Sequence, residues 1–105
     1  MRRGIAVLLV AFPCAAFAQA DLNPQQLEGL RHFNQACRVC HTKPQMTSPQ
    51  YGPILSRVTL KGGEEAMKAF IANGTARMPG FRYHFRPPEI DAIVSYIKTL
   101  PEPTD

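Results

Sequence analysis

Cys37-Arg38-Val39-Cys40-His41 is the pentapeptide around which the rest of this sequence falls into place. Two thiols three residues apart, followed directly by an imidazole, have the spacing of covalent haem attachment. Each thiol can add to one vinyl group on the same porphyrin edge, and the adjacent His41 then reaches the iron as an axial ligand. Other uses of these residues fit less well. A redox-active dithiol needs a strand–helix–strand setting, and no strand precedes the motif. A zinc site needs four ligands; only His32 and His84 remain to join Cys37, Cys40 and His41, and there is no second cysteine pair. A structural disulfide across so short a gap would be strained.

Haem ligation by thioethers requires export with reduced thiols, and the N-terminus supplies an export signal. Arg2 and Arg3 precede an uncharged apolar run from Gly4 to Ala18. The run closes with Ala16-Phe17-Ala18 and Ala18-Gln19-Ala20, both of the small-x-small form of a signal peptidase site. It is shorter than the roughly 20 residues of a spanning helix and is interrupted by Pro13. Residues 1–20 are therefore expected to be a cleaved secretory signal, cut after Ala20 or Ala18, with an uncleaved anchor as the alternative. Pro13 and Phe12 before Cys14 fit a lipoprotein signal poorly. Residues 21–105 are then the mature domain.

Removing twenty of the 105 residues leaves 85 and takes two arginines away, so the net charge falls from +4 to +2. That is too little for a nucleic-acid footprint, which needs a clustered basic face. The length allows one small domain and excludes a multidomain enzyme. At 45% hydrophobic and 19% charged, the chain is too apolar for disorder, and three cysteines are too few for a disulfide scaffold.

The mature part reads as all-α. Asn23-Pro24-Gln25-Gln26 combines a cap, a first-turn proline and a glutamine placed to reach back. Leu27, Leu30, Phe33 and Cys37 follow at helical spacing, giving a helix over about 24–37. Residues 41–63 hold three Pro and three Gly without a period and are expected to be loop, with one short turn near Ile54 to Val58. Glu64 to Ala72 reads as a short helix stopped by Asn73-Gly74. Residues 75–86 read as loop. Pro87-Pro88-Glu89 opens a last helix whose stripe is Ile90, Ile93, Val94, Ile97 and Leu100, with Pro101 ending it. Three main helices and so much loop leave too little apolar surface for a stable core. Long loops in a small domain usually wrap something, and a large cofactor would complete the interior.

An iron held by His41 needs a second ligand from Met46, Met67, Met78, His32 or His84. Met46 is only five residues past His41. Met67 reads as a core residue on the middle helix, His32 as a solvent-facing or rim residue, and His84 as a surface residue. Met78 sits in the irregular Gly74–Pro79 loop, stiffened by Pro79, and is the expected ligand.

Several segments, in order, resemble the small bacterial monohaem class I c-type cytochromes. Gly29-x-x-x-Phe33 stands four residues ahead of Cys37, as in that family's first helix, and Ile93 to Leu100 with Tyr96 looks like its last helix. Tyr51-Gly52-Pro53 resembles the loop on the histidine side, and Asn73-Gly74 through Met78-Pro79-Gly80-Phe81 the methionine loop. The resemblance implies a cytochrome c-like fold wrapped around one covalently bound haem c. It implies that Gly29 and Phe33 meet Ile93 and Tyr96, and that the Pro53 carbonyl orients His41. Arg82 to Pro88 departs from the pattern, being basic and aromatic, with Pro-Pro-Glu in place of a Ser/Thr-rich cap.

The function so implied is a periplasmic one-electron carrier, not an enzyme, with iron held by His41 and Met78. Its partners would be redox proteins (a dehydrogenase, an oxidase or another cytochrome), with no nucleic acid and no membrane span in the mature chain. The alternative is a haem enzyme or gas sensor with an open or labile sixth position. Arg38, Arg57, Arg77, Arg82 and Arg86 lie in segments expected to border the haem, as charge balance for its propionates or as a docking rim.

Overall fold

The computed structural model describes residues 4, 7–11, 21–42 and 49–102, with backbone only for 60–62. Cys14, the cleavage positions after Ala18 and Ala20, and Met46 lie outside the described residues. Helix α1 (Pro24–Ala36) leads directly into the single turn α2 (Arg38–His41). A 3₁₀ helix (Arg57–Gly62), α3 (Glu64–Asn73) and α4 (Pro87–Ile97) follow. Among the described residues there is no strand, only one bridge between Thr75 and Met78, and no helix is long and apolar enough to cross a membrane.

The local causes are legible. Asn23 Oδ1 accepts from Gln26 N–H at 2.8 Å and Gln26 Oε1 accepts from Asn23 N–H at 3.0 Å, a reciprocal cap. At the start of α4, Glu89 supplies the reach-back half of a capping box in the absence of a Ser or Thr cap: its Oε1 accepts from Arg86 N–H at 3.0 Å and Arg86 Nε at 3.1 Å. The short turn stands later than expected, beginning at Arg57, because Ser56 and Thr59 organise it. Thr59 Oγ1 donates to Ser56 O at 2.6 Å, and Ser56 Oγ accepts from Val58 N–H at 3.2 Å. α4 stops at Ile97, and Thr99 and Leu100 N–H then close tighter turns onto Tyr96 and Ile97.

The core forms where α1 crosses α4. Ile93, Val94 and Ile97 are fully buried, with Ile71 of α3 beside them. Each such side chain is worth about 1.5–3 kcal/mol relative to exposure. Gly29 makes the crossing possible, since a Cβ there would fall onto the Ala92 carbonyl and within 2.9 Å of Tyr96 Cβ. Its nearest neighbours on α4 are the Ala92 carbonyl and Tyr96, the latter as expected. One turn on, Phe33 meets Tyr96 edge to face, ring centroids 5.3 Å apart.

The stretch after Met78 belongs to the core as well. Phe81 and Arg82 N–H donate to the Ile71 and Ala72 carbonyls at 2.9 and 3.1 Å. That docking buries Phe85 to 3% exposure, in a stretch expected to be surface loop. Lys68 on α3 bridges Glu65 and Asp91, and Lys98 pairs with Glu64, tying α3 to α4 at the surface.

Gly29→Ala should force α1 and α4 apart and lower stability by about 2–3 kcal/mol, at the severe end of overpacking; denaturant unfolding measures it. The Lys98 hydrogen bond holds the Glu64 carboxyl below its ordinary value. A depressed acid contributes stability above its unfolded pKa and loses it as pH falls through the folded pKa. Melting curves of Glu64→Gln should therefore fall less steeply on acidification than those of the native chain.

Candidate functional site

α2 is a consequence of the motif's own backbone. Cys40 and His41 N–H both donate to Cys37 O, at 3.2 and 3.1 Å, so the two cysteines stand one helical turn apart on one face. Both thiols are free. Cys37 is packed in the core cluster, and that burial, with Cys40 adding to it, pushes its thiol up to about 11. Cys40 and His41 line an open cavity of about 400 Å³.

The loop after α2 holds the imidazole. Gly52 N–H donates to Cys40 O at 2.9 Å, which brings Pro53 O to 2.7 Å from His41 Nδ1. A carbonyl oxygen can only accept, so Nδ1 carries the proton and Nε2 keeps its lone pair.

A second loop brings in Met78. α3 ends on Gly74, whose N–H donates to Phe70 O at 2.8 Å. Gly74 has φ +74°, the left-handed region that glycine favours. The chain then folds back, with Thr75 N–H donating to Met78 O at 2.9 Å and Met78 N–H to Thr75 O at 3.3 Å. This turn sets Met78, half-buried, on the same cavity as His41.

The structure sorts the other expected ligands. Met67 also lines the cavity while packing against the core, so it is more than a core residue. His84 is exposed, edge to face with Phe85 at a centroid separation of 4.5 Å, and does not line the cavity. His32 is neither at the cavity nor facing solvent. It is wedged between α1 and α4, 3.3 Å from Glu89. Of the five arginines, Arg77 alone lines the cavity. Arg38 borders a groove with Tyr96 and Leu100, and Arg82 one between α3 and α4. Arg86 is taken up by Glu89, so Arg82 and Arg86 are not at the cavity. Both stand where the docking of Phe81 and Phe85 carries them. Arg77 lies over the Tyr51 ring at 4.8 Å, a contact invisible in the sequence because 26 residues separate the pair.

The lining fits a haem. Leu55, Met67 and Phe70 make it predominantly apolar. Tyr51 and Phe70 remain 57% and 55% exposed beside it, large apolar surface that a flat hydrophobic group would cover. Its donor set is the Cys40 thiol, an anchored imidazole and the Met78 thioether; Cys37, one turn before Cys40, is packed in the core cluster and does not itself line the cavity. A family model for cytochrome c oxidase, cbb3-type, subunit III matches residues 24–97. The chain belongs to that family. It is a small c-type cytochrome with the all-α fold of that class, and its domain implies a covalently bound haem with iron and haem-based electron transfer. No curated protein matched the chain.

In this cytochrome the turn at Gly74 is sensitive to a single substitution. A Cβ there would crowd the Met78 carbonyl, Gly80 N and Pro79 C. Gly63 also has positive φ, at +92°, but a Cβ there meets nothing within 4 Å. Gly63→Ala should cost about 1 kcal/mol of backbone strain. Gly74→Ala should cost at least about 2 kcal/mol and displace Met78; equal costs in denaturant unfolding would contradict this account.

Proposed function

We propose that the chain is exported to the periplasm and serves there as a one-electron carrier. Cys37 and Cys40 hold a single haem c by thioethers, and His41 and Met78 are the axial ligands. The observation that carries the reading is that His41 and Met78, 37 residues apart, line one apolar cavity, with His41 Nδ1 anchored on Pro53 O.

When bound, the haem supplies a one-electron iron couple. Pro53 takes the proton-bearing nitrogen of His41, fixing the ring and leaving Nε2 for the metal. The turn from Gly74 to Met78 presents a thioether, and a methionine ligand raises the reduction potential. Leu55, Met67 and Phe70 would pack their apolar surface against the bound haem. His41 and Met78 would hold the iron between them, which would leave no ligand position for a substrate.

Val39, in the attachment motif, is 86% exposed, and Arg77 sits at the cavity wall. Val39 offers an exposed apolar contact beside the attachment motif and Arg77 a single positive charge, which would suit a weak, transient encounter with a redox partner. The family's description as an oxidase subunit supports a redox complex as that partner, with a dehydrogenase or another cytochrome as donor. Cleavage of 1–20 rests on the sequence: Arg2 and Arg3, the uncharged run from Gly4 to Ala18, and the small-x-small sites at Ala18 and Ala20.

The full chain, produced with a c-type maturation system, should keep its colour through denaturation and acid–acetone extraction. Cys37→Ser with Cys40→Ser should lose it. The native protein should show a methionine-to-iron charge-transfer band, absent in Met78→Ala and retained in Met67→Ala, and should not bind carbon monoxide. A colourless product beside a coloured control cytochrome would remove the haem reading. Coloured protein that lacks the band and binds carbon monoxide would replace the carrier by a ligand-binding or catalytic haem.

A further inference from the structure

Glu28, His32 and Glu89 take no part in the cavity, yet their ligating atoms all lie within 4.8 Å of one another. Glu28 and His32 are four apart on α1 and so share a face; Glu89 comes from the first turn of α4. His32 Nε2 is 3.5 Å from Glu28 Oε1 and 3.3 Å from Glu89 Oε2. It is closed off from solvent and has no hydrogen-bond partner. Its ring is edge-on to Phe85, centroids 4.9 Å apart, so the imidazole has packing on one side and carboxylates at its tip.

These separations are long for N–H···O hydrogen bonds, which run about 2.7–3.2 Å. They match another arrangement. Zinc binds His N and Glu O at about 2.0–2.2 Å, and a tetrahedral centre then sets its donors about 3.4 Å apart. A neutral imidazole can give its single Nε2 proton to one carboxylate only, leaving the other without a share. One divalent cation satisfies all three donors.

We propose that Glu28, His32 and Glu89 form a binding site for a zinc-type divalent transition-metal ion that clasps α1 to α4. The imidazole favours such a metal over calcium or magnesium, which take oxygen ligands. Glu89 is pre-positioned, its other oxygen held by Arg86 N–H and guanidinium. The His32 and Glu89 side chains are 18% and 17% exposed, whereas Glu28 is 50% exposed and leaves a path for the ion and a coordinating water. The site stands whether or not the axial ligands at the cavity are those proposed above.

The test is titration of zinc chloride into the matured full-length chain after chelator treatment and dialysis, read by calorimetry and by thermal unfolding. One zinc per chain should bind, and a hundredfold excess over Kd should raise Tm by more than about 5 °C. Glu28→Gln and His32→Gln should each weaken binding at least tenfold and, at the same zinc concentration, cut the Tm rise by about half or more, while His84→Gln should change neither and calcium should give no heat. Glu28 is half exposed, so Glu28→Gln decides the question even where His32→Gln perturbs packing against Phe85. No saturable uptake, or an unchanged affinity in Glu28→Gln, would overturn the site and leave an ordinary histidine–carboxylate contact.

Discussion

Gly29 against the carbonyl of Ala92 is the contact on which this domain depends. Two helices can approach this closely only where one presents no side chain. The approach lets Phe33 reach Tyr96 and seals Ile93, Val94 and Ile97 from water. It also fixes the end of α1, and α2 starts there. Cys37 serves both, packed in the core and accepting the backbone bonds that close the turn bearing Cys40 and His41. The attachment motif is thus placed by a helix crossing eight residues upstream of it.

The cavity is built quite differently. Helices provide its floor and, in α2, Cys40 and His41, but irregular chain anchors His41 and supplies Met78. Pro53 holds His41 from one loop, and the Gly74 turn brings Met78 from another. Loop backbone is held here by bonds back to helix ends: Gly52 to Cys40, Gly74 to Phe70, Phe81 to Ile71. Each bond satisfies a carbonyl near a helix C-terminus, groups that have no partner within their own helix. Side chains such as Tyr51 and Phe70 then face a space that protein alone does not fill. A c-type cytochrome of this size can carry so much loop because the prosthetic group stands in for part of the core.

The segment from Phe81 to Arg86 ties these two halves together. Its charges made it look like surface, and Arg82, Tyr83 and His84 are exposed. Phe81 and Phe85, four apart, turn the other way, towards α3 and the core. Phe85 then backs His32, and Arg86 positions Glu89, so the same short stretch shapes the α1–α4 face far from the cavity lining. The basic residues of this segment were expected near the cofactor. They stand elsewhere because burial of the two phenylalanines, not proximity in sequence to Met78, sets their direction.

Local chemistry was legible in the sequence alone. The Asn23 cap, the stops at Gly74 and beyond Ile97, the apolar stripe of α4 and the Cys-x-x-Cys-His pentapeptide rest on interactions within a few residues, which a linear chain displays. Met78 was legible from its irregular, proline-stiffened loop and Pro53 only through resemblance, and both line the cavity. Tertiary structure alone decided the rest. Met67 faces the cavity as well as the core, Arg77 stacks on Tyr51, His32 is caught between two carboxylates, and Phe85 is buried. Each of these depends on which face of one segment meets a segment twenty or more residues away, or, for Phe85, on a loop docking against α3. Burial and cross-chain pairing belong to the packed molecule and have no signature in local spacing.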